Sequence, residues 1–472
     1  MRRIDLHVCG QASDQPRRVR HLARGPVFNR GGKGRRSLPL PVEARKPVNV
    51  KILKPTTALQ AALLSRSYIH FDRRLTTKAC KALVESPEAV RKHPFLPFLQ
   101  QDIVRLRIKR DATTGKPVKK HKIRPIKYAS HADSAIYAYY NFILSQLYEE
   151  RIGGSELAEA VIAFRALGKS NIDLAQQAFH WIAENRPCTA LGFDVEDFFG
   201  SLDHGTLKQS WASLLSISAL PPDHYAVYKS LTRHASVRLD RARLELGISR
   251  TAMKKRRIER ICSPEEFREK IRAGGLISVN PAKAGVPQGS PISALLSNIY
   301  MMPFDQRMLA ETKAVGGFYR RYCDDILVVV PTEHVSTVKG LVATELSALK
   351  LKLQESKTLE CTFAPTSSKP LQYLGLLFDG AQITLRSAGI ARFNARMRRG
   401  VKSFRNSKKL YGQTPIFYQR RKVLIHRYTE NVKPGERNFT TYVKRAVKAT
   451  GSEAIKRQLR RHGRRFAKLV KD

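Results

Sequence analysis

The 472-residue chain is poor in cysteine, in acids and in long apolar runs. Its six cysteines, at positions 9, 80, 188, 262, 323 and 361, form no Cys-x-x-Cys pair and no Cys/His spacing. That pattern shows no zinc site or disulfide framework and points to reduced thiols. The longest bare apolar run near the centre, Ile326 to Val330, falls far short of a membrane span, so no membrane partner is expected. The opening residues Met1 to His7 lack the apolar core of a secretory signal, and the expected location is cytoplasmic. Neither a Gly-rich phosphate loop ending in Gly-Lys-Ser/Thr nor a kinase signature set occurs, and no internal repeat is evident.

What the chain has instead is positive charge. With 86 Lys and Arg against 39 Asp and Glu, its formal net charge is +47. A hydrophobic content of 42% with 26% charged residues is globular composition, so the excess calls for a polyanionic partner, nucleic acid first. The charge is unevenly placed. Residues 1–54 hold 14 Lys and Arg against 3 acids, and residues 386–472 hold 26 against 4. Residues 1–54, rich in Arg, Gly and Pro without a sustained period, read as a flexible basic arm, or equally as an over-long start.

Helical patterning over 56–95 includes Leu59, Leu63 and Leu64 and breaks at His93-Pro94. Residues 104–110 then alternate apolar and basic side chains as a half-buried strand does. A turn at 111–115 leads into a second basic strand over 116–126. Such a hairpin, lined with Arg and Lys, suits a triphosphate or a template backbone, or else is a solvated edge. Cys188 to Phe193 reads as a buried strand that ends at Asp194. Residues 205–284 look mostly helical and basic, including Lys254 to Arg257, with a capping box at Ser263 and Glu266. The loop Gly285 to Ser293 must bend sharply twice, and an apolar helix over 294–302 follows. An amphipathic helix is expected over 337–353, then strands near 359–363 and 371–378. From 390 onward the pattern is helical, with Phe393, Met397, Val401 and Phe404 on one face. Ile455, Leu459, Phe466 and Val470 likewise read as one shared face.

The stretch Tyr322-Cys323-Asp324-Asp325 lies between two strand-like runs, Phe318 to Tyr322 and Ile326 to Val330, and reads as a hairpin tip. Two carboxylates about 4 Å apart repel by about 4 kcal/mol at an effective dielectric near 20, and burial adds a desolvation cost. Divalent cations remove that penalty, so the pair is a metal-site candidate; a solvated Asp-Asp turn is the alternative. If the strand ending at Asp194 pairs with this hairpin, three carboxylates converge, a set able to hold two Mg²⁺ for phosphoryl chemistry.

The ordered set Asp194 to Phe199, Gly285 to Ser290, Tyr322 to Asp325, Lys357 and Leu374-Gly375 resembles the successive palm motifs of reverse transcriptases. It is most similar to the bacterial kind related to retrons and group II intron enzymes. The segments 71–75, 93–98, 128–133, 163–165 and 169–172 resemble those of type 2 defence-associated (antiphage) reverse transcriptases.

The resemblance implies an α+β, right-hand polymerase fold with fingers and an antiparallel-sheet palm over 55–385 and a basic helical thumb over 386–472. It implies RNA-directed DNA polymerase activity with dNTP substrates, a template RNA that is a structured non-coding RNA, and a DNA product. Asp194, Asp324 and Asp325 would bind two Mg²⁺, for which Mn²⁺ could substitute, with Val195 adding its backbone carbonyl. Phe199 would stand beneath the sugar and exclude a ribose 2′-hydroxyl. Gln288 and Gly289 would lie along the nucleotide and template, Lys122 and Arg124 would meet the triphosphate, and Lys357 would protonate the leaving pyrophosphate. A mobile-element enzyme of intron or retron type, a non-catalytic RNA-binding module on the same scaffold, and an RNA-dependent RNA polymerase, against which Tyr322 to Asp325 and Phe199 argue, are the rival expectations.

Overall fold

The computed structural model describes residues 55–471 except 65, 112, 250–258, 365–368, 413, 431 and 433–435. The basic arm and the Lys254 to Arg257 run therefore lie outside the described residues. Eleven strands follow in chain order among them: β1 (Phe98–Arg110), β2 (Pro117–Tyr128), β3 (Cys188–Asp194), β4 (Ala235–Arg238), β5 (Ile277–Val279), β6 (Phe318–Tyr322), β7 (Asp325–Val330), β8 (Leu359–Phe363), β9 (Leu371–Tyr373), β10 (Leu376–Phe378) and β11 (Ile383–Leu385). They form three sheets, ordered β2-β1-β4-β5, β6-β7-β3-β8 and β11-β10-β9.

The sheet β6-β7-β3-β8 is antiparallel throughout, and every residue of β3 is buried. Burial on both faces explains why β3 and β7 read as bare apolar runs rather than as alternating ones. Helices Ser293–Ala314 and Val335–Ala348 contribute Leu296, Ile299, Phe304, Val338 and Val342 to the core cluster that also takes in Leu191, Phe193, Ile326 and Val328. A second cluster gathers Ala190, Leu327 and Val329 with Phe179 of helix Asn171–Glu184. With both faces covered, a one-residue slip would move each side chain into the opposite, differently shaped cluster, so close packing specifies the register of the central strands.

Several expectations need correcting. The region 56–95 is three short helices, Ala58–Ala62, Thr77–Val84 and Pro87–Lys92. Within 205–284, where a mostly helical pattern is expected, β4 and β5 are too short to show a period, yet they extend the hairpin sheet. The capping box is present, with Glu266 N–H donating to Ser263 Oγ at 3.1 Å and Ser263 N–H to Glu266 Oε2 at 2.9 Å. The β1–β2 strands are half-buried, but with the opposite face covered from the one expected: Arg124 is buried and Arg105 and Lys122 are half-buried, whereas Val104, Leu106 and Ile123 are exposed.

Phe393, Met397, Val401 and Phe404 do share a buried face, on helix Ser387–Tyr411. The last face, however, is split. Ile455 and Leu459 of helix Glu453–Leu459 pack against the sheet-side cluster, whereas Phe466 and Val470 of helix His462–Lys471 pack on the Phe393 cluster. A break at 460–461 separates the two helices and redirects the second.

Candidate active site

Strand register brings the acids to one end of the central sheet. β3 pairs with β7 so that Asp194 stands opposite Asp325, and β6 pairs with β7 so that Tyr322 faces Asp325 across the loop Cys323-Asp324. Cys323 takes φ 60°, a left-handed conformation rare for a residue with a side chain, and this lets the loop close in two residues. The Val195 N–H donates to the Asp324 carbonyl at 3.4 Å, tying the end of β3 to the turn. The next stitches are Gln354 N–H to the Asp194 carbonyl at 2.8 Å and Glu196 N–H to the Lys352 carbonyl at 2.9 Å.

The charge pattern is that of an anion cluster with one cation set into it. Asp194 is buried and accepts a hydrogen bond from the Lys357 ammonium, the two forming an ion pair. Asp324 is half-buried; burial first, and then the neighbouring Asp325 and Asp194 carboxylates, push its carboxyl up to about 7. Hard oxygen donors under mutual repulsion suit a divalent cation, which would relieve that repulsion. Among the described residues no three His, Cys, Asp or Glu side chains already stand as a ligand cluster, and Asp194 is instead paired with Lys357.

Around the acids runs a cleft of ≈ 390 Å³. Lys122, Arg124, Asp194, Val195, Phe199, Gln288, Asp324 and Lys357 all line it. Lys122 and Arg124 share one face of the hairpin through their pairing with Arg105 and Ile103. Phe199 lies on the short helix Phe198–Ser201, its ring 5.5 Å from that of Phe198 and its carbonyl accepting from Val286 N–H at 2.9 Å.

The loop 285–289 joins the two sheets. Gly285 N–H donates to the Leu202 carbonyl at 2.8 Å, and Lys127 N–H of β2 donates to the Gln288 carbonyl at 2.9 Å. Gly289 sits at φ 120°, where a Cβ would lie 2.7 Å from the Lys127 carbonyl oxygen, so only glycine fits. Two expected site residues do not line the cleft: Gly289, tucked against the backbone of β2, and Asp325, the half-buried first residue of β7.

Sequence reasoning missed two cleft residues. Asp197, at φ 40°, has its carboxyl raised by burial first and by Glu196, with Lys122 opposing. His234 is buried with Nε2 2.7 Å from Lys127 Nζ, and burial, then Lys127, pushes its pKa down to about 4. A neutral ring there accepts from the lysine through Nε2 and donates from Nδ1 to the Leu231 carbonyl at 3.0 Å. Asp197 falls inside a motif whose flanking residues drew the attention. His234 lies in the short link between helix Pro222–Thr232 and β4, with no local signal.

Residues 236–378 match the family model for reverse transcriptase (RNA-dependent DNA polymerase). That segment contains the 285–290 loop, Asp324, Asp325 and Lys357; Asp194 and the hairpin cations precede it. The α+β arrangement is accordingly that of a right-hand polymerase, with β6-β7-β3-β8 as its antiparallel palm sheet. No curated protein matches the chain in sequence.

Among solved structures, the chain is similar to apo telomerase from Candida tropicalis truncated from its C-terminal domain, at 10% identity and a TM-score of 0.39, covering 66% of this chain and 61% of that one. It is also similar to Candida albicans telomerase in complex with a TWJ fragment of telomeric RNA, at 11% identity and a TM-score of 0.38, covering 86% and 73%. The chain thus spans about three fifths of the length of the first of these, and likeness at this level assigns nothing to its chemistry. Among the described residues no helix is long and apolar enough to cross a membrane.

Proposed function

We propose that the chain is an RNA-directed DNA polymerase that adds deoxynucleotides in the cleft between the hairpin and the central sheet. The observation that carries this reading is the register of Asp194 against Asp325, with Asp324 beside them and Lys122 and Arg124 across the same cleft. The fingers and palm would run over 55–385 and the thumb over 386–472.

Asp194, Asp324 and Asp325, with the Val195 carbonyl, would hold two Mg²⁺ (or Mn²⁺). When bound, the ions would activate the attacking oxygen and neutralise the triphosphate. The chain's own groups do the rest. Lys122 and Arg124 grip the triphosphate as charge-assisted donors. Phe199 fills the space beneath the sugar and rejects a ribose 2′-hydroxyl, and Gln288 braces the nucleotide from a loop anchored to β2. Lys357 gives up its hold on Asp194 and passes a proton to the departing pyrophosphate.

Primer extension on an RNA template tests the reading: the wild-type protein extends with dNTPs and poorly with NTPs, and Asp324→Ala combined with Asp325→Ala does not extend. Synthesis that persists in the double variant would end the proposal. The Lys357–Asp194 ion pair favours one rival, a non-catalytic RNA-binding module, since an ammonium there balances the acid without any metal. Wild-type protein that binds RNA yet never extends a primer would establish it.

The similarity of residues 71–75, 93–98 and 128–133 to defence-associated enzymes supports a narrower reading: a cytoplasmic protein that copies a partner structured non-coding RNA into cDNA during antiphage defence. Sequencing the RNA that copurifies tests it, and recovery of intron RNA would move the chain to the mobile-element class.

A further inference from the structure

Arg321 is a fully buried charge directly beneath the acidic turn. Its guanidinium grips Asp305 of helix Ser293–Ala314 with both arms, Nε donating to Oδ1 and Nη2 to Oδ2, each at 2.6 Å. Tyr319 O–H also donates to Asp305 Oδ1 at 2.6 Å. Nη2 reaches Asn298 Oδ1 at 3.3 Å, and Asn298 Nδ2 donates in turn to the Ala163 carbonyl at 3.0 Å. The remaining arm, Nη1, donates to the carbonyl of Cys323 at 3.1 Å.

A buried ion pair seldom stabilises a fold more than well-packed apolar residues of equal volume would, so stability alone does not account for this one. Its geometry does. Cys323 is the left-handed residue on which the two-residue loop turns, and Asp324 follows it directly. The fork is fixed on Asp305 at one end and holds the strained peptide at the other.

We propose that Arg321, anchored by Asp305 and Asn298, is a positioning residue that holds the Cys323 carbonyl and thereby sets where the Asp324 carboxylate stands relative to Asp194. The proposal rests on the polymerase reading and adds to it a residue that touches neither nucleotide nor template.

The test replaces the pair by an apolar one, Arg321→Met with Asp305→Leu, which removes the tether while leaving no orphaned charge. Three quantities are read in the full chain: melting temperature, steady-state dNTP addition, and the rate at which a thiol reagent modifies the buried Cys323, located by mass spectrometry. The expected result is near-wild-type melting, a kcat lowered about 100-fold with KM for dNTP little changed, as suits a misplaced acid. Cys323 should be modified about tenfold faster as the turn opens locally. A double variant with wild-type kcat and wild-type Cys323 reactivity overturns the proposal.

Should the double variant fail to fold, Arg321→Lys keeps the charge and loses the fork; it should show the same split in smaller measure, with kcat down about tenfold. Loss of melting temperature with unchanged kcat per folded molecule and unchanged Cys323 rate would reduce Arg321 to a structural role. If wild-type protein extends no primer, the polymerase reading falls by itself, while the Cys323 rate still decides the tether.

Discussion

In the central sheet every residue of β3 is buried and Val328, Val329 and Val330 are fully so, whereas on the outer face of the β1–β2 hairpin Val104, Leu106 and Ile123 are 55%, 54% and 57% exposed. The first sheet carries the anions of the cleft and the second carries Lys122 and Arg124. The contrast has a physical reason. Carboxylates that repel one another keep a common geometry only when the strands beneath them cannot slip, and close packing on both faces supplies that. Of the cations, Lys122 is half-buried on a flexible stem and can adjust to a phosphate, whereas Arg124 is held buried on the cleft side of β2. The 285–289 loop couples the two, bonded through Val286 to Phe199 on the short helix that follows β3 and through Gln288 to Lys127 of β2.

The sharpest break between the two regions is expected from the acids. Asp324→Asn should lower dNTP addition by about 10³-fold or more, the scale of a lost transition-state electrostatic group. It should also raise the melting temperature in metal-free buffer, and more at pH 8 than at pH 6. The sign follows from the Asp324 carboxyl lying near 7 rather than 3.8: the folded state resists ionisation, so the wild-type protein loses stability as pH rises through that window. Thermal melts of both proteins at the two pH values check it.

Lys122→Ala should act on binding instead, raising KM for dNTP about tenfold with kcat nearly unchanged, as loss of one charge-assisted phosphate contact worth about 1.4 kcal/mol would do. Gly289→Ala attacks the junction. A Cβ at φ 120° against the Lys127 carbonyl should cost about 1–3 kcal/mol in urea unfolding.

Acid should weaken the fold through buried histidines. His70 and His234, both held near 4 chiefly by burial, bind fewer protons folded than unfolded. Stability is therefore lost as pH falls from 6.5 to about 4. His234→Gln should flatten that slope by up to about 1.4 kcal/mol per pH unit, read from urea titrations across the window. The smallest effect belongs to the open face, where Val104→Thr should change stability by no more than about 0.5 kcal/mol. Val328→Ala in the central sheet should cost about 2 kcal/mol or more.

Much of the acidic end was legible because its signals are local. A bare apolar run ending in a carboxylate marks β3, and two such runs flanking Asp324-Asp325 mark the hairpin, with no long-range information required. The capping box at Ser263 and Glu266 was legible for the same reason. The hairpin cations were legible as a basic alternation, but which face would be covered depends on what packs there, and the expected burial of Val104 and Leu106 failed on that point.

Arg320 and Arg321 read simply as basic residues before the turn. Yet Arg321 is wholly buried, with no local signal of it, since the partners that hold it, Asp305 and Asn298, stand 16 and 23 positions away on another element. His234 escaped notice likewise, because its partner Lys127 is 107 positions distant. The continuous face expected over 455–470 failed because the break at 460–461 sends the two helices to different clusters.

The most direct test of the shared-metal claim is anomalous diffraction from crystals of the protein with primer, RNA template, a non-hydrolysable dNTP and Mn²⁺. The account predicts manganese bound between the Asp194 and Asp324 carboxylates with Lys357 displaced from Asp194, and loss of that density in Asp324→Asn. A nucleotide seated in the cleft with no metal on either acid, and Lys357 still paired with Asp194, would contradict it.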